Sequence, residues 1–187
     1  MNIKKPKCLK EVQVAENRFI KVNMDILEFA KGVEGTHIKV SPQNNGGVVL
    51  FIKNQNNHIY LHHAYHYASD NTFLELIRGF QDVDEDSITS AKRELAEEIS
   101  YNYEIIAEPV FLGKIYPDTT ILNSYASLYT IKIKTKDKLT HHKDNLEALG
   151  NGAFYPINKF NQLIAKGDIS DGYTLSAYAI LKAKNII

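Results

Sequence analysis

The fold class this sequence predicts is α/β: an α/β/α sandwich around a mixed sheet, with a small N-terminal β appendage. Three observations carry that expectation. Short apolar runs bounded by turn residues, such as residues 48–52, recur along the chain as candidate strands. Among them, Ile88, Ala91, Leu95 and Ile99 repeat at helical period and mark one amphipathic helix. Two further helical segments close the C-terminus. A chain of 187 residues with 44% apolar content suits one domain with a small appendage and has ample material for a core.

Residues 1–45 form the expected appendage. Residues 19–26 are rich in strand formers and residues 36–40 alternate like a half-buried strand, with Gly32, Gly35 and Pro42 as turns between and after them. A strand or two is expected there. The main domain spans 46–187. Its first strand, 48–52, is continuously apolar; Asn54, Gln55, Asn56 and Asn57 turn the chain, and residues 59–63 return as a hairpin partner. Histidines 58, 62, 63 and 66 do not make a zinc set, because adjacent strand residues such as His62 and His63 point to opposite faces. They are expected at the surface or in a groove.

Beyond the central helix, residues 103–106 and 109–116 read as two strands around a turn, and 123–134 as another. Lys132, Lys134, Lys136 and Lys138 line one side of its continuation. They fit either an edge strand guarded against pairing or a basic lip that draws in anions. Residues 154–157 close the sheet. A helix over 158–166 ends at Gly167. Ser170 or Asp171 caps a last helix whose Tyr173, Leu175, Ala177, Tyr178, Ile180 and Leu181 face the core.

Composition excludes several functions. The formal net charge is zero, so no global basic field recruits nucleic acid or an anionic membrane. One cysteine, Cys8, permits no internal disulfide and fits a reducing compartment. Lys4, Lys5 and Lys7 lack the apolar run of a signal peptide, and no stretch approaches the roughly 18 apolar residues of a membrane span. A cytoplasmic protein is expected.

The chemistry concentrates between Gly79 and Tyr101. A glycine-bearing turn leads into a helix carrying Arg93, Glu94, Glu97 and Glu98, with Ser87 or Asp86 as its cap. Residues at i and i+4 share a helix face, so Glu94 and Glu98 point the same way with Glu97 beside them. Crowded carboxylates weaken a helix, but they are what a hard, oxygen-seeking cation requires. The plainer alternative is a solvated helix whose acids pair with Arg93 and lysines. The position of Glu94 and Glu98 beside the apolar stripe places them at the rim of the core.

Gly79, five residues, Glu85, seven residues, then Arg93-Glu94-Leu95-Ala96-Glu97-Glu98 resembles the signature of the Nudix hydrolases. Ser100 stands where that pattern has glycine. The resemblance covers most of residues 46–184. It implies hydrolysis, dependent on Mg²⁺ or Mn²⁺, of a diphosphate linked to another group, with the metal on Glu94, Glu97, Glu98 and the backbone carbonyl of Arg78. Glu85 and Arg93 would pin the loop to the helix. Pro117, sixteen residues past the motif, resembles the mark of the ADP-ribose pyrophosphatases of the family. Those members often carry Tyr-Arg where Tyr65-His66 stands, and Glu-Leu-Pro where Glu75, Leu76 and Ile77 stand. Tyr65, His66, Glu75, Arg78 and Pro117 are therefore the implied substrate contacts, His66 replacing an arginine. The polar stretch 140–152 resembles a loop with a further glutamate; Glu147, with Asp144 in reserve, is the candidate base, alongside Glu97 or the metal itself. Tyr65, Tyr67, Phe111 or Tyr116 would stack on an adenine. The implied substrate is ADP-ribose or a related nucleoside diphosphate sugar, with dinucleotides such as NADH as an alternative. A non-catalytic sensor binding ADP-ribose or a nucleotide is the rival from another class. Family members acting on ADP-ribose often dimerise through such an appendage, so the resemblance implies a homodimer.

Overall fold

The computed structural model describes residues 4–44, 46–99, 101–138, 150 and 152–187. The N-terminal segment holds four strands rather than one or two: β1 (Lys7–Lys10), β2 (Gln13–Glu16), β3 (Ile20–Ala30) and β4 (Val33–Pro42). β3 pairs antiparallel with all three others. The two short strands lie within 7–16, where Glu11-Val12-Gln13-Val14 alternates too briefly to mark a strand, and each pairs with β3. Within this sheet Asp25 is buried and bonds Lys39 at 2.9 Å. Lys39 and the amide of Asn23 hold its pKa below the ordinary carboxylate range, against the opposing effect of burial.

The second sheet contains β5 (Gly47–Lys53), β6 (Ile59–His66), β7 (Asn71–Glu75), β8 (Ile77–Phe80), β9 (Tyr101–Ile115), β10 (Ala126–Lys138) and β11 (Ala153–Tyr155). Its order is β11-β6-β5-β10-β9, with β7 on β6 and β8 on β5. β5 and β10 run parallel while the other pairs are antiparallel, so the sheet is mixed. Alternate residues of the apolar run in β5 serve two cores. Val48, Leu50 and Ile52 pack against α1 (Ser87–Glu98), with Ala91 and Leu95. Val49 and Phe51 pack with Phe160 and Leu163 of α2 (Ile157–Lys166) and Ala177 and Leu181 of α3 (Gly172–Ala183). One helix on one face and two on the other make the sandwich.

Local chemistry sets the helix ends. Asp86 caps α1 by accepting from Thr89 N at 2.8 Å, and Asp171 caps α3 by accepting from Thr174 N at 2.8 Å. Gly167 ends α2 in the left-handed conformation, with φ 80°. α1 instead leaves through Ile99 in an extended conformation, φ −72° and ψ 130°, and the chain enters β9 almost at once.

Two sequence expectations need correction. The strands expected over 103–106 and 109–116 are one continuous strand, β9. It lies at the outer edge of the sheet, where Pro109 need not donate to a neighbour. β10, read as a lysine-guarded edge, is flanked by β5 and β9 over residues 126–132. Only its last residues project past β5, and there Thr135 N donates to Gln55 Oε1 at 3.0 Å. Among the described residues no helix is long and apolar enough to cross a membrane.

Candidate active site

β8 and α1 build the acidic half of the site. β8 ends at Phe80 and the chain turns into α1, so Gly79 lies beneath the first carboxylate of the helix. A Cβ on Gly79 would overlap the Glu94 carboxylate; only glycine permits this approach. Glu94 and Glu98 are 7% and 3% exposed, on the helix face that also carries Leu95, whereas the Glu97 side chain is 40% exposed. All three line a cavity of about 140 Å³ with Gly79, Phe80, Asp82 and Arg93. Glu94 and Glu98, expected beside the apolar stripe, are buried next to Leu95, while Glu97 stands further out.

Arg93 occupies the centre of that group. Its Nη1 donates to Glu94 Oε1 at 2.8 Å and to Glu97 Oε2 at 3.0 Å, its Nε lies 3.2 Å from Glu85, and its Nη2 donates to the Phe80 carbonyl at 2.7 Å. Burial works against its charge, but the Glu94 and Glu85 carboxylates outweigh it and raise the guanidinium pKa above its ordinary value. Ser90 Oγ donates to Glu85 at 2.8 Å; this bond, with Arg93, holds the Glu85 carboxyl below the usual range against its burial. The Glu85–Arg93 link between loop and helix is thus present.

As the side chains stand, no group of three or more His, Cys, Asp or Glu residues among those described is arranged to hold a metal ion. The donor types nonetheless suit a hard cation: three carboxylates, two of them buried, face one small cavity. The Arg93 guanidinium is the present partner of Glu94 and Glu97, and His62 is the neighbour of Glu98.

A second cavity of about 550 Å³ shares Gly79, Phe80 and Glu98 with the first. Tyr65, His66, Glu75 and Arg78 of the expected substrate contacts all line it. His66 Nε2 lies 2.8 Å from Glu75 Oε2 and 2.9 Å from Arg78 Nη2, and Arg78 Nε donates to Glu75 Oε1 at 3.3 Å. Glu75 is 1% exposed; burial raises its carboxyl pKa, against the lowering influence of Arg78 and His66. His62, expected at the surface or in a groove, is 1% exposed and lines the larger cavity, with Nδ1 3.6 Å from Glu98 Oε2. Its neighbour His63 is exposed, as strand alternation requires.

Other expected contacts lie elsewhere. Pro117, in the bend after β9, is not among the residues lining either cavity. Of the candidate stacking rings, Tyr65 and Tyr67 line the larger cavity, while Phe111 packs on Tyr129 and Tyr116 on Tyr125. Glu147, Asp144 and Ser100 fall outside the described residues. Tyr125 and Tyr173 are among the lining residues that sequence reasoning missed. Tyr173 had been grouped with the core-facing positions of α3, yet it sits one residue inside the capped end; that proximity to Asp171 was the available signal.

Against known proteins, no family model and no curated sequence matches the chain. A solved structure does, by fold. The chain is similar to an ADP compounds hydrolase. The two superimpose with a TM-score of 0.77 at 21% identity, over 100% of each chain. That similarity establishes the shared mixed α/β architecture along the full length, N-terminal sheet included.

Proposed function

We propose that the protein is a hydrolase of the Nudix type that cleaves the pyrophosphate bond of ADP-ribose or a related nucleoside diphosphate sugar, giving a nucleoside monophosphate and a sugar phosphate. One observation carries this reading: the three-carboxylate cavity of α1 adjoins, sharing Gly79, Phe80 and Glu98 with it, a cavity large enough for the rest of such a ligand. The fold shared with an ADP compounds hydrolase supports it.

Glu94, Glu97 and Glu98, with the Arg78 carbonyl, would hold Mg²⁺ or Mn²⁺. When bound, the cation neutralises diphosphate oxygens and lowers the pKa of an adjacent water. Glu97, the most exposed of the three, or Glu147 accepts the proton of the attacking water. Arg93 then keeps its bonds to Glu85 and Phe80 and so anchors the helix beside the turn. Glu98 lines both the acidic cavity and the larger one, and His62 of the larger cavity lies 3.6 Å from it.

The test is a panel of diphosphate compounds with Mg²⁺, following phosphate released after phosphatase treatment. Glu98→Gln should abolish turnover while ADP-ribose still binds. Unchanged kcat in that variant would remove Glu98 from the mechanism. Arg93's hold on Glu94 and Glu97 favours a second reading, a sensor that binds the same ligand without a metal. In that case ADP-ribose binds equally well in a chelator and no compound of the panel is hydrolysed.

A further inference from the structure

The larger cavity holds little attraction for an anion away from α1. Among its described lining residues the one arginine, Arg78, is matched by Glu75, and Glu98 stands nearby. Behind Arg78, Asp171 Oδ1 lies 4.0 Å from Nη2. A phosphate entering here meets two carboxylates around a guanidinium that is already paired, so its place is at the acidic helix, with a cation.

The hydrogen bonds say what fits instead. His66 Nε2 faces both Glu75 Oε2, at 2.8 Å, and Arg78 Nη2, at 2.9 Å. A ring nitrogen carries either a proton or a lone pair. With a proton it serves Glu75 and confronts the guanidinium donor; with a lone pair it accepts one bond and leaves the other contact unmade. In every protonation state one of the two neighbours has capacity left over. A hydroxyl both donates and accepts, so it can accept from Arg78 and donate to Glu75 together. A phosphate oxygen can do only the first. The Tyr173 ring, whose centroid is 5.0 Å from the Arg78 guanidinium carbon, adds an apolar face to the same wall.

We propose that the wall formed by His66, Glu75, Arg78 and Tyr173 binds the vicinal hydroxyls of a sugar. This rests on the cavity being the substrate site of the proposed hydrolase. It reassigns His66, which is expected from sequence to replace a phosphate-binding arginine. The sugar is the terminal one or the ribose of the nucleoside, and the chemistry is common to both.

Calorimetric binding, with Ca²⁺ replacing Mg²⁺, compares ADP-ribose with the methyl ester of ADP and with ADP-ribose whose nucleoside lacks the 2′ and 3′ hydroxyls. One truncated ligand should bind the wild-type protein about tenfold or more weakly than ADP-ribose, because a site built for a hydroxyl rejects its absence. Weakness of the methyl ester assigns the wall to the terminal sugar; weakness of the dideoxy ligand assigns it to the nucleoside. In Glu75→Gln the discrimination should fall to within about twofold. Equal binding of all three to the wild-type protein overturns the assignment without any variant needing to fold. Discrimination that survives in Glu75→Gln overturns it too. Discrimination without hydrolysis of any ligand in Mg²⁺ sinks the hydrolase and leaves the sugar wall standing. Hydrolysis without discrimination does the reverse.

Discussion

Gly79 and Glu94 are a matched pair. The carboxylate lies over the glycine Cα, in space that any side chain would fill. The atom displaced by a methyl group there is the end of a flexible side chain, so the fold can yield without repacking its core. Gly79→Ala should therefore lower kcat/KM about 10²-fold, the cost of roughly an ångström of misplacement, while shifting the Tm by only a few degrees. Loss of fold instead of rate, seen by circular dichroism, would count against a purely local role. The acids themselves were legible, because helical spacing fixes their common face from sequence. The contact of Tyr173 with Arg78 was not. The two are 95 positions apart in sequence, and no periodicity relates a β8 side chain to the first turn of α3. Nor does spacing reveal that His66 and Arg78 compete for Glu75; their side chains meet in the folded cavity, although the β6–β7 register sets Glu75 opposite His62 and His66 opposite Asn71.

At the level of elements, α1 is held to the turn before it by Glu85, which accepts from Ser90 and Arg93. Because the folded pKa of Glu85 lies below its unfolded value, its contribution to stability is complete above about pH 4.3 and disappears as pH falls through the folded value. Glu85→Gln should cost about 2 kcal/mol at pH 7, the scale of hydrogen bonds to a charged group. Denaturant titrations of the two proteins should converge in strong acid. A constant gap across that range would mean that the charge contributes nothing. The helix and its cap were readable because Asp86 precedes a clean apolar stripe. β9 was misread for an equally physical reason: Ala107, Glu108 and Pro109 look like a turn, and the outer strand absorbs the proline at a register shift opposite Thr130 to Lys132.

Over the whole molecule, the N-terminal sheet presents apolar residues to its surroundings. Met24 and Ile38 are cross-strand partners, 42% and 46% exposed, with Val22 and Val40 paired beside them. We propose that a second copy of the chain covers this surface, as the resemblance to dimeric members of the family implies. Sedimentation velocity should give twice the chain mass for the wild type and the monomer mass for a Met24→Glu, Ile38→Glu variant; a wild-type monomer at tens of micromolar would refute it. The sandwich was legible because β5 alternates between two cores. The extent of the small sheet was not, since β1 and β2 owe their form to β3 rather than to their own residues.

The outer rim of the large sheet bears on how copies can meet. β9 lacks an amide donor at Pro109, and its register with β10 shifts there and at several other points. Such a rim offers no unbroken ladder to an incoming strand. Growth by adding chain after chain at that side is disfavoured, so association is steered toward closed pairs and away from open-ended filaments.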